Sequence, residues 1–154
     1  MLKLPSELKT TQKRKSSLPD PDLQLEGYKL LGRLGRGGFS DVYVVRRRTT
    51  GKLFALKVIS KKIAANWKGE LVRREFEILR DTRHPLIVQL DCAFTVQDGY
   101  IFVMDYCPGG TVFEALKRAG RFEEDRALIY IAEMLLVINY LHENEIIYRD
   151  VKAS

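Results

Sequence analysis

Apolar residues in the first two thirds of the chain are grouped into short runs rich in β-branched and aromatic side chains. Such runs, bounded by turn-forming residues, are typical of β-strands. The five runs are Tyr28 to Leu34, Val42 to Val45, Leu53 to Ile59, Ile87 to Phe94 and Tyr100 to Tyr106. Thr49-Thr50-Gly51-Lys52 and Asp98-Gly99 have the composition of hairpin turns. Because hairpins join antiparallel neighbours, the pattern predicts an antiparallel sheet, with the last strand at an edge.

Three further segments carry apolar residues at helical spacing. They are Ala64 to Asp81, Thr111 to Arg118 and Glu123 to His142. His84-Pro85 ends the first, because a residue that precedes proline avoids the helical region, and Gly120 closes the second. In the third, apolar residues from Leu128 to Leu141 face nearly every direction, so this helix is expected to be buried on most sides. Strands, a helix, strands and then helices predict an α+β fold.

Composition and charge exclude several kinds of protein. The 154 residues are 45% hydrophobic and 30% charged, which is typical of a globular domain. The formal charge of +6 comes from scattered Lys and Arg without interleaved aromatic residues, so no nucleic-acid partner is predicted. Glu133 and Asn139 interrupt the most apolar segment, which is too short to span a membrane. Cys92 and Cys107 form neither a disulfide framework nor a metal spacing, which favours the reducing cytoplasm.

Residues 1–24 contain Pro, Ser, Thr and charged residues with little apolar content, which predicts a disordered basic leader. Within this leader, Lys13-Arg14-Lys15-Ser16-Ser17 is open to two further interpretations, as a phosphorylation site or as a nuclear-import signal. A nuclear location is therefore the alternative to a cytoplasmic one.

Glycines are concentrated between the first two predicted strands, in Leu34-Gly35-Arg36-Gly37-Gly38-Phe39-Ser40-Asp41-Val42. Glycine lets backbone N–H groups approach phosphate oxygens closely, although a plain tight turn is the simpler alternative. A Walker loop is excluded, because no Gly-Lys-Ser/Thr precedes a helix. A dinucleotide loop is excluded as well, because strand residues follow the glycines. The context favours a phosphate-binding loop between two antiparallel strands.

Lys57 ends the apolar run Phe54-Ala55-Leu56-Lys57, where it either reaches the surface or pairs with a carboxylate. On the first helix, Glu75 falls in the middle of an apolar face and Glu77 on the opposite side. That face comprises Trp67, Leu71, Val72, Phe76, Ile78 and Leu79. A carboxylate there is costly unless it is paired, so the pattern predicts a Lys57–Glu75 ion pair. A partly exposed Glu75 is the alternative; in a buried pair, removing one partner would cost about 3–5 kcal/mol.

Two segments near the end of the chain contain sharp turns. Val103-Met104-Asp105-Tyr106-Cys107-Pro108-Gly109-Gly110 leaves the last strand and turns at Pro-Gly-Gly. After the long helix, a turn at Glu143-Asn144-Glu145 and a short strand at Ile146-Ile147 are predicted to lead to Tyr148-Arg149-Asp150-Val151-Lys152. Taken singly, each segment is compatible with an ordinary surface turn or strand end.

In their order along the chain, the glycine loop, Phe54-Ala55-Leu56-Lys57 and Tyr148-Arg149-Asp150-Val151-Lys152 resemble the motifs of the eukaryotic protein kinases. Lys152 is typical of the serine/threonine type, and Tyr148 in place of the usual His resembles the AGC group. The resemblance covers residues 28–154 and implies a five-stranded antiparallel N-lobe with an αC helix, followed by the first helices of a truncated helical C-lobe. It implies an incomplete kinase domain at 25–154, divided into N-lobe 25–106, hinge 107–110 and start of the C-lobe 111–154.

The resemblance also implies a binding site for ATP. Met104 would be the gatekeeper, Asp105 and Cys107 would offer backbone contacts to adenine, and Thr111 would lie near the ribose. Ala55 and Val42 would wall the adenine, and Glu75 would hold Lys57 toward the α- and β-phosphates. The remaining ATP-binding residues would be Leu34, Gly35, Arg36, Gly37, Gly38, Phe39, Ser40 and Asp41. Ser40 replaces the third glycine of the family's loop and takes positive φ less freely than glycine does.

By the same resemblance, Asp150 and Lys152 are the catalytic residues. Asp150 would orient the substrate hydroxyl and accept its proton, and Lys152 would neutralise charge that develops on the transferred phosphoryl group. The family holds Mg²⁺ with an Asn five residues after the Asp and with the Asp of an Asp-Phe-Gly motif, and neither occurs in the 154 residues, so no metal ligand is predicted in this chain.

We therefore expect an ATP-dependent serine/threonine protein kinase that acts on a protein substrate at full length, with this chain inactive alone. The alternative is a non-catalytic nucleotide-binding or regulatory fragment that acts through protein partners. Because the helices that would cover the long apolar helix are missing from the sequence, self-association of the chain is also expected.

Overall fold

The computed structural model describes residues 27–37, 40–61, 69–96 and 99–152. Within these ranges the chain forms five β-strands, and every pair of neighbours in the sheet is antiparallel. The strands are β1 (Tyr28–Arg36), β2 (Ser40–Arg47), β3 (Leu53–Ser60), β4 (Leu90–Val96) and β5 (Gly99–Asp105). Their order across the sheet is β1-β2-β3-β5-β4. The predicted five-stranded antiparallel sheet is therefore confirmed.

The prediction that the last strand lies at an edge is wrong, because β5 lies between β3 and β4. Ile101, Phe102 and Val103 of β5 are all buried. A strand that buries side chains on both faces is stable inside a sheet, whereas β4, which lies at one of the two edges, leaves Asp91 exposed. β4 also begins later than predicted, because the Ile87 N–H donates to the His84 carbonyl (3.1 Å) in a turn.

The hairpin predicted between β2 and β3 is confirmed. The Arg47 N–H donates to the Lys52 carbonyl (2.9 Å), and Gly51 adopts a φ of 71° that glycine reaches easily. In the second predicted hairpin, Asp98 lies outside the described residues. Gly99 is needed there for close packing, since a Cβ atom at this position would lie 2.7 Å from the Ile59 carbonyl oxygen.

The side chains of the sheet form two apolar clusters, one on each face, because successive residues of a strand point to opposite sides. The first cluster is Val45, Phe54, Leu56, Ile101 and Val103. The second is Ile59, Phe102 and Val72, with Phe76 and Leu79 among the residues packed against it. Val72, Phe76 and Leu79 belong to α1 (Glu70–Asp81), so this helix covers the second face.

The helix predicted over Ala64 to Asp81 is confirmed from residue 70 onward, and residues 62–68, with Trp67, lie outside the described part of the chain. α1 ends before His84-Pro85, as predicted. Thr82, the residue that follows its last turn, is extended, with φ −76° and ψ 126°. Leu71, predicted on the buried face, is 50% exposed. It lies about 100° around the helix from the buried Val72, at the margin of the contact.

Two further helices, α2 (Val112–Ala119) and α3 (Glu124–Glu143), lie within one residue of their predicted bounds. A capping box begins α2: the Thr111 hydroxyl accepts from the Glu114 N–H (3.1 Å), and Glu114 Oε2 accepts from the Thr111 N–H (2.8 Å). Gly120 closes the helix as predicted, with a φ of 78°. No helix in the described ranges is long and apolar enough to cross a membrane.

α3 is far less buried than its sequence predicts. Within the described residues Leu141 is buried, but six large apolar side chains of α3 are between 38 and 60% exposed. These six are Leu128, Ile129, Ile131, Met134, Leu135 and Leu136. Near its C-terminal end, Tyr140 accepts a hydrogen bond from the Arg83 N–H (3.0 Å) and packs against His84, with ring centroids 4.9 Å apart. This contact joins α3 to the loop that follows α1.

The short strand predicted at Ile146-Ile147 is wrong, because residues 146–152 form no strand. The Ile146 N–H instead donates to the Leu141 carbonyl of α3 (2.8 Å), and Ile147 is exposed. A strand needs a neighbour to accept its backbone hydrogen bonds, and the structure pairs no described strand with this segment.

Arg47 joins the two outer strands of the sheet, β1 and β4. Its guanidinium donates to the Tyr28 hydroxyl of β1 (2.8 Å), forms an ion pair with Asp91 of β4, and lies 4.4 Å from the Phe54 ring centroid. The Tyr28 hydroxyl also contacts Cys92 Sγ at 3.6 Å, and burial raises the pKa of both groups. The sheet is therefore curled so that its outer strands meet.

Candidate active site

Strand register brings four of the predicted site residues to one face of the sheet. Val42 lies opposite Lys57, and Ala55 lies opposite Met104. Because alternate residues of a strand share a face, Ala55 and Lys57 point the same way, together with their partners. Met104 packs against the cluster that α1 covers, so this is the face turned toward α1. A small apolar wall and a lysine therefore lie side by side.

Glu75 of α1 receives a hydrogen bond from the Lys57 ammonium group and forms an ion pair with it. The predicted pair is confirmed, but the two side chains are 23% and 38% exposed. Water therefore screens the pair in part. The free-energy cost of removing one partner falls to about 1–2 kcal/mol, between the values for exposed and buried pairs.

The glycine loop is the tip of the β1–β2 hairpin. Gly35 pairs with Val42, and the Gly37 N–H donates to the Ser40 carbonyl (2.8 Å). A Cβ atom at Gly37 would lie 3.3 Å from that same oxygen, so a larger residue would crowd this turn. Gly38 and Phe39, both predicted to bind ATP, lie outside the described residues.

Ser40 stands in an extended conformation at the start of β2, so the left-handed backbone that favours glycine is not required there. The other loop residues predicted to bind ATP differ in exposure. Leu34 and Arg36 are exposed, whereas Asp41 is largely buried. Asp41 Oδ1 lies 4.0 Å from Arg36 Nε and has no hydrogen-bond partner in the described part of the chain.

Asp105, at the end of β5, is held from two sides. Its N–H donates to the Gln89 carbonyl (3.1 Å), and its Oδ2 accepts from the Gln89 N–H (3.3 Å). Lys52 Nζ lies 3.5 Å from Asp105 Oδ1. Since the Asp105 N–H is engaged within the protein, its carbonyl is the backbone group to consider for a ligand.

The two remaining residues of the predicted hinge site follow in the next turn. Cys107 is a free, exposed cysteine. Thr111 is the N-cap of α2, and its N–H and hydroxyl both take part in the capping box with Glu114. The hydrogen bond that the Thr111 N–H donates to the Glu114 carboxylate lowers the pKa of that carboxyl group below its ordinary value. The capping box fixes where α2 begins relative to the turn at residues 108–110.

Asp150 and Lys152 form an ion pair, with Lys152 Nζ 2.9 Å from Asp150 Oδ2. Their side chains are 66% and 55% exposed, and the carboxylate raises the pKa of the Lys152 ammonium. Arg149 has a φ of 60°, which is strained for a residue other than glycine. The described residues show no ion pair between Asp150 or Lys152 and the sheet.

The resemblance implies Mg²⁺, and the residues present do not by themselves fit it. The carboxylate of Asp150 is already paired with a cation, Lys152. Nowhere in the described ranges do three or more His, Cys, Asp or Glu residues come together so that they could hold a metal ion. The expectation that this chain supplies no metal ligand stays a prediction.

Sequence reasoning missed three residues next to the predicted site, namely Lys52, Gln89 and Tyr140. Lys52 contacts Asp105, Gln89 contacts Asp105 on its other side, and Tyr140 contacts the loop before Gln89. The available signal was weak: Gln89 is a single polar residue in the run Leu86-Ile87-Val88-Gln89-Leu90. Its contact with Asp105 follows from the sheet order, which places β4 beside β5.

Comparisons with known proteins agree with this arrangement. Residues 28–154 match the family model described as "Protein kinase domain". "Protein kinase 3" of Dictyostelium discoideum is 42% identical over 153 residues, which cover 98% of this chain and 16% of that protein. "Serine/threonine-protein kinase SCH9" of Saccharomyces cerevisiae is 40% identical over 134 residues, covering 84% and 16%. The human "RAC-beta serine/threonine-protein kinase" is 34% identical over 154 residues, covering 97% and 32%.

The chain thus spans less than a third of the length of these relatives. The matched part includes the whole sheet, α1 and the segment that contains Asp150. The order of elements and the Lys57–Glu75 pair agree with the family assignment. The chain therefore belongs to the protein kinase family, and its relatives are serine/threonine kinases of the AGC group.

Proposed function

We propose that the protein transfers the γ-phosphoryl group of Mg-ATP to a serine or threonine hydroxyl of a protein substrate. The observation that carries this proposal is the Lys57–Glu75 pair beside the apolar wall of Val42, Ala55 and Met104. A lysine on this face is held by a carboxylate from the helix and remains partly exposed. Such a lysine is suited to meet the phosphates of a nucleotide whose base rests on the wall.

The base would lie against Val42, Ala55 and Met104. The Asp105 carbonyl and the backbone of Cys107 would read its edge, because the Asp105 N–H already donates to Gln89. Thr111 would lie near the ribose. The aliphatic side chains exclude water from the base, and the backbone groups supply the few directional contacts that set specificity.

The phosphates would lie between Lys57 and the glycine loop formed by residues 34–42. The Gly37 N–H donates to the Ser40 carbonyl in the described conformation. Its use for a phosphate would therefore require that hydrogen bond to open. Lys57 would contact the α- and β-phosphates, and Glu75 would keep the ammonium group in position.

Asp150 would orient the substrate hydroxyl and accept its proton, and Lys152 would neutralise charge on the transferred group. The present Asp150–Lys152 pair would have to separate, so that the ammonium group faces the phosphoryl oxygens and the carboxylate faces the hydroxyl. We place this activity in the cytoplasm, with the nucleus as the alternative, because both described cysteines are free.

The test uses the protein at its full natural length with Mg-ATP and a panel of serine- and threonine-containing peptides. Asp150→Asn is expected to lower kcat by about 100-fold or more, because it removes the base. Asp125→Asn, which changes a carboxylate in the first turn of α3, is the matched control and should leave kcat unchanged. Equal activity of Asp150→Asn and the wild type would refute the assignment.

A second candidate is a nucleotide-binding regulatory protein without transfer activity. The observation that favours it is the ion pair between Asp150 and Lys152, since both side chains are more than half exposed and face one another instead of a built site. Nucleotide binding without phosphoryl transfer, together with saturable binding of a protein partner, would support it. The 154-residue polypeptide alone is predicted to show this behaviour and to self-associate through the exposed apolar residues of α3.

A further inference from the structure

The side chain of Gln89 organises the loop between α1 and β4. Its Nε2 group donates to two backbone carbonyls, those of His84 (3.2 Å) and Ile87 (2.8 Å). Its Oε1 accepts from Arg83 Nη1 at 3.3 Å. Both amide protons and the amide oxygen are thus used within a single short loop. The Gln89 side chain therefore links three other residues of this loop, His84, Ile87 and Arg83.

The backbone of Gln89 is bound in turn to the residue at the end of β5. The Gln89 carbonyl accepts from the Asp105 N–H, and the Gln89 N–H donates to Asp105 Oδ2. Two hydrogen bonds between the same pair of residues restrict both the position and the orientation of the Asp105 peptide group. The exposed ion pair of Asp105 with Lys52 contributes less, because solvent screens it.

The same loop is anchored to α3. The Arg83 N–H donates to the Tyr140 hydroxyl, and the His84 ring packs on the Tyr140 ring. Gln89 therefore lies between a fixed point on α3 and the Asp105 backbone. Without its side chain, the loop loses the hydrogen bonds that tie residue 89 to Arg83, His84 and Ile87, although the backbone bonds of residue 89 to Asp105 stay in place.

We propose that Gln89 is a positioning residue for the base-binding half of the nucleotide site. The inference rests on the proposed function, in which the Asp105 carbonyl and the Cys107 backbone read the base. Gln89 contacts no part of the base directly and acts by fixing the Asp105 peptide group. The phosphate-binding half depends on a different contact, the Lys57–Glu75 pair, which shares no hydrogen bond with Gln89.

The test compares the affinities of ATP and GTP, which carry the same triphosphate and differ in the base. Both nucleotides are titrated into wild type, Gln89→Ala and Gln89→Met by calorimetry. Gln89→Met keeps the length of the side chain without its donors and serves where Gln89→Ala folds poorly. We expect each variant to lower the preference for ATP over GTP by about fivefold, as the loss of one or two hydrogen bonds implies. The affinity for GTP should stay within about twofold, since the triphosphate contacts are intact.

Asn139→Ala is the matched control, because its amide bonds only to Glu143 of the same helix among the described residues. It should leave both affinities unchanged. A general loss of folded protein lowers both affinities equally and keeps their ratio, and this result in both Gln89 variants would overturn the proposal. An unchanged ratio with unchanged affinities would also overturn it. If the wild type binds neither nucleotide, the proposed function itself fails and the role of Gln89 fails with it.

Discussion

The sheet half of the chain and the helical half use similar apolar content to different effect. In residues 28–105, Val45, Phe54, Ile101 and Val103 are almost completely inaccessible to solvent. In the described residues from 106 onward, Leu141 is the buried apolar residue, and the apolar side chains of α3 are mostly exposed. The sheet and α1 supply surfaces for one another, whereas α3 meets the rest of the described chain mainly near its C-terminal end.

The difference shows that a run of apolar residues predicts that a segment needs burial. It does not predict whether the rest of the chain supplies the surface that buries it. The nucleotide-binding half of the proposed site is built on strands and a helix whose apolar side chains are buried against one another. The segment that contains Asp150 follows α3, which has no comparable core in the described residues. We infer that nucleotide binding depends on contacts already in place, and that catalysis depends on further packing against the helical half.

The largest expected effect concerns the buried core of the sheet. Phe54→Ala should lower the free energy of unfolding by about 3–5 kcal/mol, because it removes a buried ring and leaves a cavity. Leu135→Ala, on the exposed face of α3, should change it by no more than about 0.5 kcal/mol. Urea denaturation of both variants measures the contrast. Similar losses at the two positions would mean that the halves do not differ in packing.

The next effect concerns the partly exposed ion pair. Glu75→Gln should lower the free energy of unfolding by about 1–2 kcal/mol, because Lys57 loses its partner on an apolar face. Glu77→Gln is the control: Glu77 is as exposed as Glu75 and pairs with Arg73 on the same helix, a contact that contributes about 0.3–0.5 kcal/mol. Equal losses in the two variants would show that the site pair has no special energetic role.

The exposed face of α3 allows a test of self-association, in which a substitution changes association and leaves stability nearly unchanged. Leu135→Glu should reduce self-association of the 154-residue chain with a change in unfolding free energy of about 0.5 kcal/mol or less, since this side chain packs little. Sedimentation velocity across a range of protein concentrations measures the association. A wild type that stays monomeric at every concentration would contradict the expectation.

The smallest effect is a pH dependence at the start of α2. The folded-state pKa of Glu114 lies below its ordinary value, because the Thr111 N–H donates a hydrogen bond to the carboxylate. The stabilisation is therefore fully present above the ordinary carboxyl pKa and is lost as the pH falls through the lowered folded-state pKa. Amide NMR shifts of residues 111–115 should report fraying of α2 in that acidic range. Glu114→Gln should abolish the acid transition, whereas Glu124→Gln should leave it in place.

Much of the fold was predictable from local sequence. Alternation and turn residues located all five strands, and helical periodicity alone placed Glu75 on the face that meets Lys57. These features depend on neighbours within a few residues or on one repeating period. The position of the glycine loop between two strands followed in the same way, because the residues on either side of it have strand character.

Other features depend on which strands meet, and sequence alone does not determine that. The position of β5 inside the sheet, the contact of Arg47 with both outer strands and the bonds from Gln89 to Asp105 all follow from the sheet order. Leu71 shows the limit of periodicity, since it belongs to the predicted apolar face and yet lies at its exposed margin. Ile146-Ile147 shows another limit, because apolar residues form a strand only beside a partner.

Binding of ATP to the 154-residue chain and to its Lys57→Met variant is the sharpest test of whether the sheet half is a built nucleotide site. We expect saturable binding by the wild type, observed by calorimetry and by NMR shifts at Val42, Ala55 and Met104. In Lys57→Met, the affinity should fall by about tenfold or more, because the phosphates lose a charge-assisted contact. Absence of binding by the folded wild type, or equal affinity in both proteins, would contradict the presence of such a site.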